Sequence, residues 1–281
     1  MRLRLREAGW GLAIATLLLA TGAQGQNPDT MDPEQSAAKG KQIISQLIEA
    51  LGGPLYLSVN SLGCEGRIAQ FGHSGDLTGF VTFKDYWGYP DKKRTDAGKK
   101  GNIIDLYAGD QGWTLDRGGV SEEPATAVSD FQAMLKRDVN NLLRNRIHEE
   151  GISIRFGGIG VVDLHQVDWV EIEDQEERVF RLAVDHSSHL LVRSVVLMKD
   201  EETGTRREDV TMYTNYQFKD GVQLPMQVSR EKDGRRVYQV FYEGCQLNPP
   251  LPPDFFTKAA LERRFAEVGG KAAKEKNSCK R

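Results

Sequence analysis

Apolar positions along the chain switch spacing several times, and each switch marks an element. In EQSAAKGKQIISQLIEALGG (34–53), Ile43, Ile44, Leu47, Ile48 and Leu51 recur at helical spacing, and Gly52-Gly53 supplies a stop. The runs SLGCEGRIAQF, DLTGFVTFKDYW, NIIDLYAGD and GWTLDR follow. They set β-branched and aromatic residues between Gly, Asp and Asn punctuation, which predicts strands. Helical period returns in TAVSDFQAMLKRDVNNLLRNRIH (126–148). Val128, Phe131, Leu135, Val139, Leu142 and Ile147 form one apolar stripe there, with Lys136, Arg137, Arg144 and Arg146 assigned to other faces. A single stripe means that this helix lies on something apolar. Strand-like runs resume in ISIRF, QVDWVEIED, VFRLAVD, LLVRSVVLMKD, REDVTMYTNYQFKDG, VQLPMQVSREKDG and RRVYQVFYEGCQL.

Short connections such as FKDGVQ and EKDGRR suit antiparallel hairpins rather than parallel crossovers. The predicted class is α+β: a large curved antiparallel sheet that buries one face against a few helices. The domain is expected over 34–258, after a lead-in at 26–33. The segment 259–281 reads as a helix-prone, charged tail.

The N-terminus departs from this pattern. Arg2, Arg4 and Arg6 precede a short apolar run from Gly11 to Thr21, and Ala23-Gln24-Gly25 places small residues at the cleavage positions. This reads as a secretory signal peptide, residues 1–25, and predicts a periplasmic protein. The run falls short of the roughly 20 apolar residues of a spanning helix. No cysteine follows it to carry a lipid.

Composition excludes some classes. Lys and Arg total 37 against 40 Asp and Glu, a net charge of −3, so nucleic acid is not an expected partner. The three cysteines, Cys64, Cys245 and Cys279, lack zinc or redox spacing. In an oxidising compartment two can pair; Cys64 and Cys245, both in strand-like segments, are the candidate disulfide.

Candidate reactive motifs each have a plainer reading. DHSSHLL (185–191) sets two histidines three apart, but strands flank it and no third ligand is nearby, so it reads as a turn. HEEGI lacks the second histidine of a zinc-protease helix. FGGIGVVD is followed by a strand, not the helix whose N-terminus would hold a pyrophosphate. GHSGD misses the nucleophile-elbow spacing. His73, His148, His165, His186 and His189 form no local triad. No catalytic, metal or cofactor site is assigned, and the chain reads as a non-enzyme.

Three patches together carry a resemblance. They are LIEALGGPLYLSVNSLGCEGRI, then YPDKKRTD with NIIDLYAGDQGWTLD, and finally YTNYQFKDGVQLPMQVSREKDGRRVYQVFYEGCQLNPPLPPDFFTK. In their order they resemble the periplasmic LolA-type outer-membrane lipoprotein-sorting family, over roughly residues 35–258. The resemblance implies a half-open, unclosed β-barrel whose helices plug its mouth, above an apolar cavity that holds lipoprotein acyl chains or another lipid. It also implies membrane-bound donor and acceptor partners and a monomeric carrier. One position departs from it: those carriers place an arginine before the strand-opening proline, where it hydrogen-bonds the covering helix, and here Tyr89 precedes Pro90.

Strand alternation within that fold points Val81, Phe83, Trp113, Leu115, Phe180, Leu182, Met212, Tyr216, Met226 and Val228 inward, with Phe131, Leu135 and Leu142 facing them from the helix. Three functions compete. A lipid carrier requires a continuous apolar lining without a polar cluster. A sensor or adaptor that binds a protein partner in the envelope requires exposed aromatics and no large cavity. An enzyme requires titratable groups converging in one pocket.

Overall fold

The computed structural model describes residues 30–98, 101–199 and 204–267. The signal peptide, the first half of the lead-in (26–29), Cys279 and the end of the tail lie outside the described residues.

Thirteen strands form one antiparallel sheet: β1 (Ser61–Phe71), β2 (Leu77–Gly88), β3 (Lys92–Ala97), β4 (Ile103–Ala108), β5 (Gln111–Asp116), β6 (Gly119–Glu122), β7 (Ser153–Val162), β8 (His165–Glu173), β9 (Val179–Asp185), β10 (Leu191–Lys199), β11 (Arg206–Lys219), β12 (Val222–Lys232) and β13 (Arg235–Leu247). Their spatial order is β6-β5-β4-β3-β2-β1-β13-β12-β11-β10-β9-β8-β7. The sheet is therefore two meanders joined at the β1–β13 seam. Its edges, β6 and β7, are consecutive in the chain yet do not pair, so the barrel stays open. The link between them must cross from one edge to the other, and it carries the covering helices.

That link is not the single helix its periodicity predicts. It divides into α3 (Ala125–Arg137), α4 (Val139–Asn141) and a π-helical turn (Leu142–Arg146). The break is at Asp138, which takes an extended backbone (φ −71°, ψ 125°) while its carboxylate accepts from the Asn141 N–H at 2.8 Å. Aspartate competes with the helical backbone in this way and so favours caps over helix interiors.

Helix α1 (Pro33–Leu51) buries Ser36, Gly40, Ile43, Ile44, Leu47 and Leu51. Gly40 lets the helix lie against β7: a Cβ there would stand 2.9 Å from the Arg155 carbonyl carbon. Gly52 (φ 128°) ends α1, as the glycine pair predicts, and leads into α2 (Gly53–Ser58). The main core joins α1, α2 and α4 to Phe156, Val170, Ile172, Phe180 and Leu182 on the concave face. A smaller core packs Ile104, Leu106 and Leu115 under Leu261. Residues 258–267 are helical (α5), and Leu261 is fully buried, so the start of the segment read as a tail is built into the domain.

Candidate functional site: a sheltered cavity on the concave face

Between the concave face of the sheet and the α3–α4 link lies a cavity of about 460 Å³, inside the roughly 300–1,000 Å³ range of small-molecule pockets. Sheet register arranges its wall in rows across the strands. One row is polar: Ser194 faces Thr211, which faces Arg230, which faces Tyr238, which faces Gln70. The next is largely apolar: Tyr213, Val228, Val240, Ile68 and Val81. Phe83 and Tyr242 follow, ring edge to ring face at 5.9 Å between centroids. A third row runs Cys245, Cys64, Asp85, Thr95 and Asp105. There the Thr95 hydroxyl donates to Asp85 at 2.6 Å, and Trp87 Nε1 donates to the other Asp85 oxygen at 3.1 Å. From the first row to the third is six residues of β1, about 20 Å at strand rise.

Cys64 and Cys245 are bonded (S–S 2.07 Å) where the two meanders meet, and the bridge lines the cavity. The candidate pairing is thus the one found.

The lining is not the continuous apolar wall that a pure acyl carrier requires. Four cations (Lys93, Arg137, Arg144, Arg230) and four carboxylates (Asp85, Asp105, Asp138, Asp209) are among the lining residues. Six of the eight tyrosines also line it: Tyr56, Tyr89, Tyr213, Tyr216, Tyr238 and Tyr242. Burial raises the pKa of Tyr56, Tyr89, Tyr213, Tyr216 and Tyr242 well above the ordinary phenol range. These side chains are therefore neutral hydrogen-bonding groups on large apolar rings. Burial also raises the Asp138 carboxyl, partly offset by the Asn141 N–H and by Lys93 and Arg144.

Two arginines come from the covering segment, although periodicity assigned them away from the buried stripe. Arg144 stacks over Tyr56 (4.2 Å) and Tyr89 (4.6 Å) and donates to the Val59 carbonyl at 2.8 Å. Arg137 reaches Asp209 at 3.5 Å, and the same Asp209 oxygen accepts from Arg230 at 2.7 Å.

Of the side chains expected to point inward, Val81, Phe83, Tyr216 and Val228 line the cavity. The others lie elsewhere. Phe180, Leu182 and Leu142 sit in the main core with α1 and α4. Leu115 and Trp113 belong to the smaller core. Phe131 stacks on Tyr107 at 4.7 Å, and Leu135 is buried within α3. Met212 packs with Val162, Val167, Ala183 and Val192, on the opposite sheet face.

Met212 and Tyr216 share a parity yet part company because of Asn215. It takes a left-handed backbone (φ 54°), and the ladder passes from Thr214–Gln227 to Tyr216–Pro225 without a pair between. Cavity-lining parity switches there on β11, from Thr211 and Tyr213 to Tyr216, while on β12 the alternation of Arg230 and Val228 gives way to the consecutive lining residues Val222, Gln223, Leu224 and Pro225. Met226, opposite Asn215, is buried but outside the wall. The missed tyrosines of β13, Tyr238 and Tyr242, do alternate with Val240 in the sequence. That period-two signal names them.

DHSSHLL is the β9–β10 turn. Asp185 accepts from the backbone N–H of Ser187 (3.0 Å) and Ser188 (2.7 Å) and from both hydroxyls. His165 Nδ1 lies 2.8 Å from Asp185, and His186 Nδ1 lies 2.7 Å from Asp168. Since Val167 faces Asp185 and Asp168 faces Val184, the two pairs occupy opposite faces of the sheet and cannot share an ion. Among the described residues no group of three or more His, Cys, Asp or Glu is placed to hold a metal.

No protein-family model matches the sequence, and no curated protein matches it. Solved structures do. A LolA superfamily protein of Nitrosomonas europaea aligns over 79 % of this chain and 99 % of its own, at 13 % identity and TM-score 0.51. A DUF1329 family protein of Desulfovibrio piger covers 82 % and 100 %, at 13 % identity and TM-score 0.56. A putative outer-membrane lipoprotein-sorting protein domain of Vibrio parahaemolyticus covers 80 % and 99 %, at 10 % identity and TM-score 0.52. The chain has the LolA-superfamily fold. In this LolA-like fold the cavity is bounded by the α3–α4 link on one side and by the β1–β13 seam on the other.

Proposed function

We propose that the protein is an exported, non-catalytic binding protein of the cell envelope that holds a lipid in the cavity beneath α3 and α4. The observation that carries the reading is the 460 Å³ space on the concave face, with its belt of Val81, Ile68, Val240 and Val228 sheltered by the link that runs between two unpaired edges. Apolar surface of this kind must be hidden from water when empty and offered when loaded. No helix among the described residues is long and apolar enough to cross a membrane. A disulfide across the seam suits an oxidising compartment such as the periplasm. Lipoprotein acyl chains are one candidate cargo, and membrane-bound donor and acceptor proteins would then load and unload it.

A second reading, an adaptor for a protein partner, draws on a different place. Ile159, Val161 (73 % exposed) and Leu164 (97 % exposed) stand out on edge strand β7 and its hairpin. Mass spectrometry of organic extracts of the gently purified mature chain decides between them. A stoichiometric lipid is expected. An empty protein that also fails to take up a fluorescent fatty acid would remove the lipid reading and leave the adaptor.

A further inference from the structure

The polar groups of the cavity are not scattered. Arg230, Thr211, Ser194 and Tyr238 share the row nearest the end where the β12–β13 hairpin (Asp233-Gly234) and the β1–β2 turn (72–76) lie, and Asp209 stands beside them on β11. Arg137 enters this corner from the last turn of α3. Two guanidiniums therefore meet one carboxylate, with Asp130 a further acid acting on Arg137 from its own helix. Asp209 is only 5 % exposed, and its Oδ1 has no partner; neither has Arg137 Nε. A buried polar atom left unpaired loses its hydration without replacement, so this corner is incomplete as it stands. It wants both an acceptor, for the guanidiniums, and a donor, for Asp209. Directly below it, along the strands, runs the apolar belt of Val228, Val240, Ile68 and Val81.

We propose that the cavity takes a single-headed amphiphile oriented along the strands. Its anionic, hydroxyl-bearing head group is held by Arg137 and Arg230, with Asp209 accepting from the hydroxyl, and its acyl chain lies on the valine belt. Arginine forks suit a phosphate or carboxylate better than a lysine would, because two N–H groups meet two oxygens in one plane. This deepens the lipid-binding reading and rests on it. The head group also bridges the covering helix, through Arg137, to the sheet, through Arg230, so a bound ligand ties the cover down.

The test uses the mature chain stripped of lipid and followed by tryptophan fluorescence, since Trp87 lines the cavity. Lysophosphatidylglycerol is compared with the monoacylglycerol of the same chain length. Both carry hydroxyls, but only the first is anionic. The charged amphiphile is expected to bind about tenfold tighter, and Arg137→Gln or Arg230→Gln is expected to abolish that preference, bringing the two affinities together. Equal affinities for the two amphiphiles would overturn the head-group assignment but leave the lipid cavity standing. Failure of both to bind would overturn the cavity reading itself. Saturable binding of inorganic phosphate alone, undiminished by either amphiphile, would mark a free-phosphate site and overturn the amphiphile. Should Arg230→Gln unfold the sheet, Arg137→Gln decides, because it sits on α3 outside the strands and its folding is checked by a thermal melt.

Discussion

Arg144 is held from several sides at once: the rings of Tyr56 and Tyr89 flank its guanidinium, and the Val59 carbonyl takes one of its protons. Each stacked ring contributes on the order of 1 kcal/mol, and a hydrogen bond from a charged donor contributes more. Arg144→Ala is therefore expected to lower stability by about 2 kcal/mol in urea denaturation. Arg144→Lys should recover little of the loss, since an ammonium lacks the flat face that stacks. An unchanged midpoint in the alanine variant would show that the stack is incidental. At Tyr89, between β2 and β3, the cation comes down from the covering segment and the residue before Pro90 supplies the ring. Helical periodicity placed Arg144 away from the apolar stripe correctly. It could not show that the far side of a helix spanning a cavity faces a second wall.

At the scale of elements, α3 is tied to the β8–β9 hairpin by charge. Lys136 at its last turn pairs with Glu176 at 2.7 Å, and Arg178 pairs with Glu176 at 2.6 Å and with Asp174 at 2.8 Å. Hydrogen bonds from Arg178 and then Lys136 hold the Glu176 carboxyl down, from 4.5 to about 2. A carboxyl depressed in the folded state contributes stability that is present above its unfolded value and is lost as pH falls through its folded one. The contribution should thus fade between pH 4.5 and about 2. Comparing wild type with Glu176→Gln in urea, the two midpoints should differ at pH 6 and converge toward about pH 2. Curves that stay parallel across that range would assign the pair no role. Among the elements, sequence pattern located nearly every strand and both long helices, because periods of two and 3.6 are written in local side-chain order. The break at Asp138 and the parity switch at Asn215 were harder to see. Both depend on one backbone conformation, and a single left-handed residue reverses which face every later side chain occupies.

For the whole molecule, the decisive joint is the β1–β13 seam, which unites strands far apart in the chain through Cys64 and Cys245, 181 residues apart. Closing so long a loop reduces the freedom of the unfolded chain, and such bridges typically contribute about 2–4 kcal/mol. The Cys64→Ser/Cys245→Ser double variant should melt at a lower temperature than the oxidised protein. Reductant should bring the oxidised protein down to the same level and leave the variant unmoved. A variant that melts with the oxidised protein would mean that the seam holds without its staple. Local patterning by itself determined the α+β class, the antiparallel hairpins, the apolar stripe of the covering segment and the glycine stop of α1, because each is a property of neighbouring residues. Tertiary structure alone decided which apolar side chains became sealed core and which became cavity wall. It also decided that Tyr56, Tyr89 and an Arg–Asp–Arg corner share that wall. Phe180 and Met212 look alike in a strand pattern; one meets α1's core and the other the opposite face, and only the packing of distant segments sets that difference.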